Sequence, residues 1–144
     1  MSLLTTLIAV GVDSSLLRDV TNERLKDVER RHPRLGNAAE FLSAAFNEEL
    51  PSLPRMMCAL ESAYLCCVEI VEPSKLLLET ASHPSPSIAD VAATTLGLSH
   101  EEKRTLRELT EWASSYSPFM PLVGIENTCV LGRDVVPGTI RYLA

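Results

Sequence analysis

The sequence predicts a mainly α-helical domain: a compact bundle of five or six helices with a small C-terminal β-hairpin or extended arm. Three observations carry this expectation. Helix start and stop signals recur from Asp13 to Pro118, with Ser, Asp or Asn ahead of apolar stripes and Pro or Gly behind them. The run MMCALESAYLCCVEIVE at 56–72 is apolar around most of a helical circumference. After Pro118 and Pro121 the pattern changes to the β-branched runs NTCVL and GTIRYL, separated by GRDVVPG, which read as two paired strands. The chain is thus expected to comprise a helical bundle over 1–117 and an appendage over 118–144 packed on the same domain.

The elements follow in order. The opening TLIAVGV fits either a strand or a first helix. Asp13, Ser14 and Ser15 are placed to cap a charged helix over 16–32, with Leu17, Val20, Leu25 and Val28 inward and Pro33 ending it. Asn37 with Glu40 has the form of a capping box for a helix through Leu50, its inward residues Phe41, Leu42, Ala45 and Phe46. Ser52 and Pro54 open the long apolar helix and Pro73 closes it. Ser74 can cap a short helix over KLLLETAS.

Beyond the turn HPSPS, Ile88, Val91, Ala92, Thr95 and Leu96 recur on one helical face, and Gly97 suits a left-handed C-terminal cap. Ser99 and Glu102 form the clearest capping box. It opens a helix with Leu106, Leu109, Ala113 and Tyr116 inward and Trp112 at the edge.

Composition narrows the role. With 144 residues, 46% of them apolar and 22% charged, the chain suits one globular domain. A net charge of −6 argues against nucleic acid and against anionic membrane surfaces. The apolar opening is too short for the ~20 residues of a bilayer helix, and no Lys or Arg precedes it as a secretory leader requires. A cytoplasmic location is expected. Reduced thiols fit it, because the four cysteines, at 58, 66, 67 and 129, are few for a disulfide scaffold.

The long apolar helix holds three of those cysteines and three glutamates. At about 100° per residue, Glu61, Glu72 and Glu69 gather on one polar stripe, whereas Cys66 and Cys67 diverge by about 100° inside the apolar arc. The thiols therefore read as packing residues, and neither a metal nor another cofactor is expected. The stripe of Glu61, Glu69 and Glu72 reads as a solvated helix edge, or as an acidic groove that receives a basic partner. A second candidate is the basic segment KDVERRHPR. Its Lys26, Arg30, Arg31 and Arg34 suit a helix C-terminus or an anion, with His32 among them.

Residues 87–109, SIADVAATTLGLSHEEKRTLREL, are similar to a helix-turn-helix DNA reader, with Ala93 and Gly97 at the usual spacing and Ser99 opening the second helix. That resemblance implies a transcriptional regulator. Against it, His100, Glu101 and Glu102 occupy the first turn of the would-be recognition helix, where carboxylates repel phosphate. No Gly-x-Ser-x-Gly elbow, glycine-rich phosphate loop or local Cys and His signature is present. An enzyme would need a site assembled from distant residues, around His32, His83 or His100. The leading expectation is a non-catalytic interaction module, an acidic binder of a basic protein partner in the manner of immunity proteins, antitoxins and secretion chaperones. Self-association into a homodimer is a further expectation.

Overall fold

The computed structural model describes residues 2–72, 83–115 and 117–144. Among them lie seven α-helices and no strand: α1 Leu3–Ala9, α2 Asn22–Arg31, α3 Pro33–Ala45, α4 Ser52–Val71, α5 Pro86–Leu96, α6 His100–Ser114 and α7 Ile125–Leu143. A single 3₁₀ turn, Ser14–Leu17, joins α1 to α2. No helix among the described residues is long and apolar enough to cross a membrane.

The long apolar run forms α4, as its periodicity predicts, and α4 is the centre of the bundle. α3 and α7 lie along it, and α5 and α6 close its remaining sides. Met56, Ala59, Leu60, Ala63, Tyr64, Cys66, Cys67, Ile70 and Val71 are all buried. All but Ala59 meet Leu35, Ala38 and Leu42 of α3 and Leu131, Val135, Val136 and Ile140 of α7 in one core, while Ala59 packs with Ala45 and Cys129 in a smaller cluster. Polar groups inside this core are matched. Ser62 Oγ donates to the Ala38 carbonyl at 2.7 Å, and the Tyr64 hydroxyl accepts the Ser85 amide at 2.8 Å. Arg55 Nε donates to the Ala45 carbonyl at 2.8 Å, satisfying an orphan acceptor at the end of α3.

Several local signals act where the sequence places them. Gly97 caps α5 at φ 68°, and Ser99 and Glu102 make both bonds of the capping box at the start of α6. The opening segment resolves to helix α1, whose Leu3 amide donates to Glu29 of α2. The short helix expected at 74–82 and the inward placement of Tyr116 lie outside the described residues.

Other expectations are corrected. The C-terminal hairpin does not form; residues 125–143 are the helix α7. Thr128, Leu131, Gly132, Val135, Val136, Thr139 and Ile140 are spaced for one helical face, and their burial overrides a β-branched preference of only a few tenths of a kcal/mol per residue. The helix continues through Pro137. The helix expected over 16–32 is interrupted, because Asp13 caps only the 3₁₀ turn and Thr21 starts α2 afresh by accepting the Arg24 amide. Pro33 begins α3 as well as ending α2, so Asn37 and Glu40 lie inside a helix and cap nothing. That helix stops at Ala45, and Phe41 points outward at 37% exposure. On α5, Ala89 and Ala93 are buried in place of Val91 and Thr95.

Close approach of α7 to α3 depends on Gly132, where an added Cβ would stand 2.7 Å from Cδ1 of the fully buried Leu42. A Cβ at Gly36 or Gly138 meets nothing within 4 Å. Gly138→Ala and Gly36→Ala should therefore each stabilise by about 0.5–1 kcal/mol through helix propensity. Gly132→Ala should lose that gain to overpacking of about 1–3 kcal/mol and lower stability. Chemical denaturation of the three variants checks the ordering, and equal midpoints would refute the close contact.

Candidate functional site

Three sets of side chains carry the molecule's polar chemistry. The first is at the junction of α2 and α3. His32 serves as C-cap of one helix and N-cap of the next, which brings its ring and Arg34 onto the polar stripe of α4. Glu69 Oε2 lies 2.8 Å from His32 Nδ1, and its Oε1 accepts Arg34 Nη1 at 2.9 Å. The same guanidinium nitrogen donates to Glu72 at 3.2 Å. The two carboxylates push the Arg34 pKa up. Glu69 is only 3% exposed, so Arg34 and His32 enclose the middle of the acidic stripe.

This sorts the sequence candidates. Of the basic set, Arg34 joins the stripe, whereas Arg30 and Arg31 both pair with Asp27 at the surface and Lys26 is exposed on α2. Of the acidic set, Glu69 and Glu72 share Arg34, and Glu61 stands apart. The partnering is invisible to a single-helix wheel because Arg34 and Glu69 are 35 positions apart in the chain.

Glu61 belongs to the second set, an open groove of about 370 Å³ between the first half of α4 and the end of α6. Leu53, Met57 and Leu60 form one wall, Trp112 and Ala113 the other, and His83, Pro84 and Ser117 the end. Glu61 Oε2 sits 3.2 Å from His83 Nε2, and the His83 ring meets Tyr64 edge-on at 4.6 Å. Met57 is 56% exposed and Leu53 43%. Trp112 Nε1 donates to the Phe119 carbonyl at 2.7 Å, which fixes the indole against the loop that follows α6. The groove thus sets apolar walls beside two convergent polar groups. Sequence reading flagged Glu61 and His83 separately and missed Met57 and Trp112 as site residues; Trp112 at the edge of its stripe was a signal, whereas Met57 falls inside the apolar arc of α4 and gives none.

The third set is an acidic cleft of about 230 Å³ where Glu101, Glu102 and Thr105 of α6 face Asn127 and Asp134 of α7. Burial, and then the charge of Glu102, raise the Asp134 pKa. The helix pair that resembles a DNA reader is present as α5 and α6, and Arg107 on its second helix is engaged by Asp90 and Glu111. His100 is exposed at the start of α6.

The thiols are withdrawn from chemistry. All four are free, with Cys66, Cys67 and Cys129 buried and Cys58 half-buried. Burial pushes Cys66 up to about 12 and raises Cys67, Cys129 and Cys58 as well, the neighbouring Glu61 adding to the shift at Cys58. Among the described residues no group of His, Cys, Asp and Glu is arranged to hold a metal ion.

Three outcomes follow from this geometry. Glu69→Ala removes the acceptor of a part-buried imidazole and of Arg34, and should cost about 3 kcal/mol, whereas Asp27→Ala should leave the denaturation midpoint within error. A raised folded-state pKa means that Asp134 holds its proton more tightly folded than unfolded, so its contribution falls as pH rises from the unfolded value through the folded one. Asp134→Asn should therefore be more stable than wild type at neutral pH and equal to it in acid, as thermal melts across that range would report. Native protein at neutral pH should expose at most Cys58 to a thiol reagent, with all four thiols reacting in denaturant. Comparison with models of known protein families, with curated proteins and with solved structures returns no match to this chain.

Proposed function

We propose that the domain is a non-catalytic interaction module that holds a segment of a basic protein partner in the groove between α4 and α6. One observation carries the reading: an apolar trough bearing an indole and two exposed side chains, with a carboxylate at its rim, on a molecule of net charge −6. Trp and Met supply adaptable apolar contact at such surfaces. Glu61 can exchange its bond with His83 for a Lys or Arg of the partner, and the net negative field accelerates the approach of a basic chain. The recognised segment would place a bulky apolar side chain beside Trp112 and a cation beside Glu61.

Trp112 is the only tryptophan, so its emission reports occupancy of the groove directly. An amphipathic peptide of Leu and Lys should shift that emission, and the same peptide with Glu in place of Lys should not. Glu61→Gln should weaken the Lys peptide about tenfold, the equivalent of one charge pair. Met57→Glu should abolish the shift. Equal responses to both peptides, or none to either, would overturn the reading.

A further inference from the structure

The loop after α6 carries the two most exposed large apolar side chains of the described residues, with Met120 beside them. Leu122 is 103% exposed, Phe119 76% and Met120 44%. Such side chains are ordinarily turned inward or masked, and here they are held out. The Phe119 amide donates to Ser117 Oγ at 3.2 Å, its carbonyl accepts Trp112 Nε1, and Pro118 and Pro121 restrict the backbone between them. The loop is thus preorganised, and it starts at the groove, which Ser117 and Trp112 both line.

We propose that the resting occupant of the groove is a second copy of this chain: Phe119 and Leu122 of each protomer enter the Leu53, Met57 and Trp112 groove of the other. This takes the groove as a docking surface, as the preceding section does, and adds that a basic partner must compete with self-pairing. Three features favour a second copy. The protruding loop and the receiving groove are adjacent on one end of the molecule, so a twofold axis between them satisfies both at once. Residues 117–124, SPFMPLVG, contain no ionisable side chain, which makes this loop a place where two chains of charge −6 can meet without opposing like charges. Burying Phe119, Met120, Leu122, Leu53 and Met57 from both copies would remove on the order of 1,000 Å² from water, the lower bound for a specific contact.

Sedimentation velocity from micromolar to submillimolar protein tests this. The expected result is a concentration-dependent rise to twice the 15.8 kDa monomer mass. Leu122→Asp and Met57→Glu, on the protruding and the receiving side, should each weaken self-association about 30-fold, the loss of one anchoring side chain. Both positions are solvent-facing, so helical circular dichroism should be unchanged. A mass of 15.8 kDa at every concentration, or a dimer indifferent to both substitutions, would overturn the proposal. The peptide titration is read separately with Leu122→Asp, which leaves the groove walls intact. Wild type that stays monomeric while its Trp112 responds to the Lys peptide refutes only the self-pairing, and wild type that dimerises while monomeric Leu122→Asp is inert to the peptide supports the self-pairing and refutes the partner reading.

Discussion

The second half of helix α4 is largely enclosed by protein, yet it carries the buried Glu69. A carboxylate so placed must be matched, because leaving it unpaired would cost several kcal/mol. The match is made by the α2–α3 junction, where a shared capping residue and the first turn of α3 deliver His32 and Arg34 together. Much of the remaining packing is consistent with that docking. With the start of α3 tied to the last turns of α4, its far end falls where Arg55 and Cys129 meet the Ala45 carbonyl. One turn before that end, Leu42 lies against the gap left by Gly132.

Sequence reading succeeds where the physics is local. Gly97 and the Ser99–Glu102 box act within four residues of themselves, and α4 begins at Ser52, where Ser52 and Pro54 are read as opening it. It fails where a distant partner decides. Nothing near Glu69 announces Arg34, and the basic and acidic segments, which read along the chain as two separate surface patches, meet through these residues in a single ion-paired seam. The hairpin expectation fails for a different reason. Val135, Val136, Thr139 and Ile140 favour strands as residue types, but their spacing is helical, and the core rewards the spacing. Thr21 was a legible cap hidden inside a run that otherwise reads as continuous helix.

The groove was the least legible feature. Its walls come from α4, α6 and the turn at His83, which are distant in the chain, and among its apolar residues Leu53 and Met57 are conspicuous only by their exposure. It is nonetheless built on firm supports. Leu60 is a core residue, the His83 ring rests on the buried Tyr64, and Trp112 is hydrogen-bonded through its indole. A surface made this way presents apolar area in a fixed shape, which lowers the ordering cost paid when something binds.

The clustering of sulfur on α4 bears on how the chain reaches this fold. Protection of Cys66 and Cys67 is conferred by the finished bundle alone, since α7, which follows α4 in the chain, supplies part of their enclosure. Until α7 docks, Cys66 and Cys67 stand on an unsheltered hydrophobic surface, and an oxidant encountered then can link Cys58 to Cys67 in a geometry that α4 cannot adopt. Assembly of this core is therefore a race between helix docking and sulfur oxidation, and a reductant present during refolding favours the docking.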